Sequence, residues 1–434
     1  MSDTIAWVSP VRDVGGELDS IAWVSPVRDV GGELHPQGGS TNLTAMNQRP
    51  LRILFAAPVW APSRAFGGPV VAAGELVRRL VARGNDVDVV TTTITDLHSR
   101  PALRSSLGVV DGASVRYLST PLRYRWMGIT PTLPFALARL NRPDVAHVFG
   151  FRDPVTTGVA AWCRLAHVPY VFEPLGMFEP RLRKVLLKRL LDGTLYRGVA
   201  RGAAAVVVAS DRERDAVIAC GVPAAKAHVR GNGFPHPDDM AADGSGDLRA
   251  RLRIPAQAPL ILYVGRIARG KGIDHLLEAA RQIPDAHVVL AGPDDRHGVR
   301  TEAPRVHTLP MTDDPPRALY PQADVFVLAS EGESFGMVAA EAAAAGTPVV
   351  VSDRCGIADF FEDGEALVVP YEQSAVMEAI QRVLAEEQLR EQLARGGPSA
   401  ARRMSWDRVA DLQEEIYRAV ASRTAATKFS TETL

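Results

Sequence analysis

Cysteine is scarce in this chain of 434 residues. Its three cysteines, Cys163, Cys220 and Cys355, are far apart and form no Cys-x-x-Cys pair. That excludes a disulfide framework and a structural zinc site and leaves each thiol as a small buried hydrophobe. No uninterrupted apolar run reaches the ~18 residues a membrane helix needs, and the N-terminus lacks the cationic-then-apolar order of a secretory signal. The default expectation is a cytoplasmic protein. With 46% hydrophobic, 6% aromatic and 23% charged residues, the composition is that of an ordinary soluble enzyme, without collagen-like, coiled-coil or low-complexity bias. At roughly 150 residues per domain the length implies two large domains or three smaller ones.

Net charge is also small, −1 from 49 basic and 50 acidic side chains, but its distribution is uneven. Residues 51–235 carry 25 lysines and arginines against 13 acids, a net of +12, whereas 236–434 carry 21 against 31, a net of −10. Such asymmetry points to an anionic partner for the basic half, or to two halves that attract one another. Ahead of both, IAWVSPVRDVGGEL begins at Ile5 and again at Ile21. Two copies are too few for a solenoid, whose units need about three neighbours to bury a core, so residues 1–50 are expected to form a disordered tail.

From Leu51 short apolar strands alternate with amphipathic helices. Strands are expected at Arg52–Ala57, Asp86–Thr92, Asp144–Phe149, Pro169–Glu173 and Ala204–Ala209, then at Leu260–Val264, His287–Leu290, Val325–Leu328, Thr347–Val351 and Ala366–Val369. Apolar strands joined by helices make parallel, doubly wound sheets. The expected fold class is therefore α/β, with an N-terminal domain over 51–235, a Pro- and Gly-rich linker over 236–259, a second domain over 260–403, and a terminal segment over 404–434. Ligands of such sheets bind at the strands' C-terminal ends, so two facing domains imply an active site in the cleft between them.

Three constellations fall at such ends. Glu333-Ser-Phe-Gly-Met-Val-Ala-Ala-Glu341 follows a strand and opens a helix. The backbone N–H groups of Phe335 and Gly336 would stand at a helix N-terminus, an anion site suited to a diphosphate, and the two carboxylates suit vicinal hydroxyls. The competing reading is an acidic helix start with Glu341 solvated. Gly265-Arg266-Ile-Ala-Arg-Gly-Lys271-Gly272 follows the strand Leu260–Val264, and Arg266 with Lys271 could clamp a leaving phosphate. Gly67-Gly68-Pro69 sits between the first strand and a helix, where Pro69 fits the first turn. No Gly-x-Gly-x-x-Gly follows either domain's first strand, which disfavours a dehydrogenase.

Together these motifs resemble the retaining glycosyltransferases of GT-B architecture, specifically family four, the group 1 glycosyl transferases. The resemblance runs from Leu51 to about Ala421 and includes FGGP at 66–69, DVAHVFG at 144–150, GNGFP at 231–235, VGRIARGKG at 264–272 and ESFGMVAAEAAAAGTPVVVSD at 333–353. It implies two Rossmann-like domains facing a cleft, with the C-terminal helix returning to the N-terminal domain. It further implies a nucleotide-diphosphate sugar donor, transfer with retention to a glycan, glycolipid or other hydroxyl acceptor, and no cofactor or metal. Arg266, Lys271 and Glu333 become the catalytic set. Gly67, Gly68, Phe335, Gly336 and Glu341 complete the donor site, with Glu341 on the ribose.

The departures lie on the acceptor side. His147 matches the first histidine of the His-x-His that family members often carry, but Phe149 stands at the second and Leu175 replaces another histidine. His147 thus remains open between an acceptor-side group and a satisfied strand histidine. The basic, leucine-rich segment Pro180–Arg201, with Arg181, Lys184 and Lys188, could meet an anionic or lipid-linked acceptor or the inner face of a membrane, or could be a plain domain helix. Nucleic acid is not an expected partner. The alternatives to transfer are a nucleotide-sugar epimerase of the same architecture and a non-catalytic sugar-binding protein.

Overall fold

A computed structural model describes residues 49–63, 67–95, 104–124, 127–177, 197–240, 247–294, 303–310 and 318–432, with only the backbone at 197 and 424–432. The duplicated segment 1–48, Phe66, and Arg181, Lys184 and Lys188 lie outside these residues.

The apolar strands build two sheets. The larger runs in the order Ala227–Val229, Ala205–Val208, Tyr170–Glu173, Val145–Phe149, Arg52–Ala56, Asp86–Thr92, Ala113–Leu118, Ser106–Val110. All its pairings are parallel except the last. The second sheet is parallel throughout, in the order Val306–Leu309, His287–Ala291, Leu260–Val264, Val325–Leu328, Val349–Ser352, Leu367–Val369. Helices such as Gly68–Ala82, Pro154–Leu165 and Ile273–Gln282 cover them. Because both faces are covered, central strands read as unbroken apolar runs: every residue of Leu260–Val264 is buried. In each sheet the domain's first strand lies inside between two later strands, from which the chain winds outward in opposite directions across the sheet, and this opens a crevice at their C-terminal ends.

The segment expected as a linker does more than connect. Met240, Leu248, Ile254 and Ala258 are buried in the C-terminal core. The short helix Leu248–Leu252 is N-capped by Asp247, whose Oδ1 accepts from the N–H of Arg249 and Ala250. Asp324 Oδ2 then accepts from Leu260 N at 2.7 Å and pairs with Arg249 at 2.8 Å. The prolines and glycines that suggested a connection separate apolar residues that dock individually.

The long terminal helix Trp406–Glu432 crosses back onto the N-terminal domain, where Ala410, Tyr417 and Val420 join the core beneath the larger sheet. On its rim Arg83 Nη2 meets Asp411 at 2.8 Å. At its centre lies a buried polar cluster. Arg230 Nη2 donates to Glu173 Oε1 at 2.9 Å, Arg230 Nη1 donates to Gln413 Oε1 at 2.6 Å, and His147 Nδ1 lies 2.7 Å from the Tyr417 hydroxyl. The other imidazole nitrogen of His147 is 3.2 Å from Glu173 Oε2 but out of hydrogen-bond alignment. Burial alone would raise the Glu173 carboxyl, yet the Arg230 guanidinium holds it below its ordinary value. Desolvation, partly opposed by Glu173, lowers the pKa of His147 and keeps it neutral.

Removing one member of a buried ion pair strands its partner. Arg230→Met should therefore destabilise the fold by ~3–5 kcal/mol, read as a shift of the urea midpoint at unchanged slope; a shift near zero would contradict the pairing. His147 takes up a proton near pH 6.5 when unfolded but resists it when folded. Stability should fall as pH drops below about 6.5, by up to ~1.4 kcal/mol per unit. His147→Gln should flatten that slope, and an unaltered slope would refute the assignment.

Candidate active site

In the C-terminal sheet the crevice lies between Leu260–Val264 and Val325–Leu328, which are hydrogen-bonded neighbours. The loops leaving these strands are the two that carry the cationic and acidic motifs, and they touch through backbone. A β-carbon on Gly272, at φ 73°, would stand 1.8 Å from the Ala329 carbonyl oxygen. Glu331 N donates to Gly270 O at 2.9 Å. Only glycine permits this approach, and it brings the Lys271 ammonium into an ion pair with Glu333 Oε1. Ser330 Oγ lies 3.4 Å from the same oxygen.

The Glu333 loop is itself fixed. Glu333 N donates to Arg354 O at 3.3 Å and Gly356 N donates to Glu333 O at 3.2 Å. Phe335 is buried, its ring 5.4 Å from that of Phe360 and 6.2 Å from that of Phe234. The side chain is thus an anchor, and its backbone stands at the start of the helix Met337–Ala344. Gly336, the N-cap at φ 116°, takes a conformation open to glycine, and a β-carbon there would reach 2.9 Å from Leu328 Cδ2. First-turn N–H groups have no acceptor within their own helix, so this end is a donor-rich, electropositive site.

Arg266 is exposed on the cationic loop, and its carbonyl accepts from the Tyr263 hydroxyl at 2.9 Å. Glu341 lies within the helix Met337–Ala344, half-buried, where its Oε2 accepts from the Tyr320 hydroxyl at 2.6 Å. Burial raises the Glu341 carboxyl, with the tyrosine hydrogen bond opposing. This is an oriented carboxylate in a desolvated setting rather than a solvated helix residue. Its partner Tyr320 carried no local sequence signal, being 21 residues away in a separate turn.

The N-terminal domain closes on these loops from the other side. Gly68 faces Met337, a β-carbon there lying 3.4 Å from Met337 Cγ. Gly67, at φ 62°, caps the helix that Gly68 begins. Gly176, at φ 71°, approaches Ser334, and an added β-carbon would fall 2.5 Å from Ser334 Cβ. Its N–H is held by Glu213 Oε1, while Glu213 Oε2 accepts from Ala209 N at 2.9 Å. Asp359 Oδ2 accepts from Asp211 N at 3.0 Å, a further tie across the cleft. Neither Gly176 nor Glu213 was singled out from sequence. The structure therefore brings Gly67, Gly68, Lys271, Glu333 and the Phe335–Gly336 backbone to one cleft. His147 is placed elsewhere, fully buried under the terminal helix with Phe55 stacked on it at 4.6 Å. Among the described residues no group of three or more His, Cys, Asp or Glu side chains could hold a metal ion, and no helix is long and apolar enough to cross a membrane.

Residues 245–400 match the model of the glycosyl transferases group 1, and residues 67–233 match the glycosyl transferase 4-like domain. The D-inositol 3-phosphate glycosyltransferase of Thermomonospora curvata is 30% identical over 81% of this chain and 90% of its own. That of Xylanimonas cellulosilytica is 36% identical over 44% of this chain and 49% of its own, so the chain spans about half the length of that relative. Among solved structures, Anabaena HepE in complex with UDP-glucose superposes with a TM-score of 0.65 at 19% identity, over 85% of this chain and 100% of the other. The match at both domains, the full-length relative and the paired sheets agree: this chain belongs to the group 1 glycosyltransferases of family four, on the GT-B architecture.

Proposed function

We propose that the protein transfers a sugar from a nucleoside-diphosphate donor to a hydroxyl of an anionic acceptor, with retention at the anomeric carbon. The observation that carries this reading is the Lys271–Glu333 pair at the switch point, beside the N-terminal end of the helix Met337–Ala344. A diphosphate entering there would accept from the Phe335 and Gly336 N–H groups and draw the Lys271 ammonium away from Glu333. Glu333 is then released toward the sugar. Arg266, on the same loop, would close over the outer phosphate. Glu341, oriented by Tyr320, would receive the ribose hydroxyls.

The chemical demand is stabilisation of leaving-group charge as the bond from the anomeric carbon to phosphate breaks, together with an acceptor hydroxyl held on the face from which the phosphate departs. Preorganised cations and N–H groups meet the first requirement, and closure of Gly67, Gly68 and Gly176 on the donor loops meets the second by positioning and exclusion of water. The UDP-glucose bound by HepE supports a uridine donor as the first to try. The phosphorylated polyol in the relatives' name and the net +12 of residues 51–235 support an anionic acceptor.

Turnover with UDP-glucose and a phosphorylated polyol, followed by proton NMR of the anomeric centre, should give a product with the donor's configuration; an inverted product would refute the mechanism. Lys271→Ala should lower kcat by about 100-fold or more, since a preorganised charge contributes ~3 kcal/mol to such a transition state. Near-normal turnover in a folded variant would reject the leaving-group role. Glu341→Gln separates binding from folding. Replacing a carboxylate that burial disfavours should leave the thermal midpoint unchanged or higher, while loss of a charge-assisted bond worth ~1.5–3 kcal/mol should weaken nucleotide affinity by about tenfold or more. Unchanged affinity by calorimetry would reject the ribose contact.

A further inference from the structure

Water-facing strand positions are ordinarily polar, and two elements of the N-terminal domain break this rule: the edge strand Ser106–Val110, with Leu107 and Val109 exposed, and a short hairpin. Leu122–Tyr124 and Met127–Ile129 form a two-stranded antiparallel hairpin in which Leu122 pairs with Ile129 and Tyr124 with Met127. Alternation puts these four side chains on one face. Leu122, Tyr124 and Ile129 are 65%, 62% and 49% exposed. The opposite face is seated: Gly128 is buried, and a β-carbon there would lie 2.5 Å from Thr120 Cγ2 and 3.0 Å from Ile94 Cδ1. The hairpin is therefore held by its inner face and presents an apolar outer face with no covering element among the described residues.

We infer that this face docks on an anionic lipid bilayer, with Leu122, Tyr124 and Ile129 entering the interfacial layer. Charge complementarity selects the occupant. Of the nine large apolar side chains exposed among the described residues, eight fall between Val71 and Leu165, inside the half of the chain whose net charge is +12. The exposed Arg104 stands two residues before the strand Ser106–Val110, whose first residue pairs with Tyr117 near the strand end on which the hairpin rests. Apolar insertion and attraction to anionic headgroups add in membrane-surface binding, and this domain supplies both, whereas the described residues of the acidic C-terminal half supply a single exposed large apolar side chain, Val368.

The place of the hairpin gives the contact a use. It rests on Thr120 and Ile94, just beyond the C-terminal ends of the strands Ala113–Leu118 and Asp86–Thr92. Thr92 Oγ1 donates to Pro58 O at 2.6 Å and Ser63 Oγ to Thr95 O at 2.5 Å, which ties the same ends to the loop that leads to Gly67 and Gly68. A bilayer against the outer face would lie next to the acceptor side of the cleft, so that an acceptor held at the lipid surface is presented directly. The docking is read from the surface alone and stands or falls independently of the donor chemistry.

The test is co-sedimentation of the full chain with vesicles of phosphatidylcholine alone and of phosphatidylcholine with phosphatidylglycerol, at low and high salt. Wild type should bind the anionic vesicles, less so as salt screens the charge. The triple variant Leu122→Ser, Tyr124→Ser, Ile129→Ser should bind about tenfold or more weakly, with an unchanged thermal midpoint and unchanged nucleotide affinity because the three side chains are solvent-facing. Equal binding by the triple variant, or no binding by wild type, overturns the inference. A wild-type dimer that the triple variant converts to monomer would assign the face to a second copy. Anionic-vesicle binding that appears only after deletion of 1–48 would assign it to that segment.

Discussion

The site depends on one close approach of backbone. At Gly272 the chain passes so near the Ala329 carbonyl that a β-carbon would overlap it, at 1.8 Å. This joins the loops leaving two neighbouring strands, Leu260–Val264 and Val325–Leu328, at the point where the sheet's winding reverses. Lys271 meets Glu333 because the loops are locked there, and the helix that opens at Met337 aims its N-terminal end into the same crevice because Gly336 can take φ 116°. The cationic and acidic motifs, 62 residues apart, are one unit for steric reasons before any charge is considered.

The second constraint is the return of the C-terminal helix. Trp406 packs with Ala72, Val409 and Met337, so the start of that helix contacts both the helix carrying Gly68 and the helix carrying Glu341. Farther along, Gln413 and Tyr417 close the cluster of Arg230, Glu173 and His147. Arg230 precedes the crossing between domains, where Phe234 N donates to Met404 O at 2.8 Å. Glu173 precedes the Pro174-Leu175-Gly176 turn that presses on Ser334. A buried ion pair stabilises little relative to an apolar core, but it is unforgiving of misalignment. Here it ties the domain crossing, the terminal helix and the Pro174–Gly176 turn to one geometry.

Sequence patterning revealed the strands buried on both faces, in runs such as LILYV and VFVL, and it revealed the glycine-flanked loops at the ends of Leu260–Val264 and Val325–Leu328. It missed the edges. Ser106–Val110 and the hairpin at Leu122–Ile129 are short, broken by Gly108 and Gly128, and carry apolar residues on the wrong face. The segment 236–259 read as a linker because its prolines are dense, although Met240, Leu248 and Ile254 are core. Within the site, Lys271, Glu333 and the glycines were legible because each sits beside a strand end. Tyr320, Glu213 and Gly176 were not, because their roles come from partners 21, 37 and 158 residues away. His147 was legible as a strand histidine with an acceptor-side role left open, and its burial depends on Tyr417, 270 residues later.

The central claim is that the Lys271–Glu333 pair is a diphosphate site held in waiting. It is tested most directly by a crystal structure of the complex with UDP. The account requires the diphosphate to rest on the Phe335 and Gly336 N–H groups, with Lys271 Nζ moved from Glu333 to a phosphate oxygen and the ribose hydroxyls on Glu341. A nucleotide bound elsewhere, with Lys271 still paired to Glu333, would contradict it.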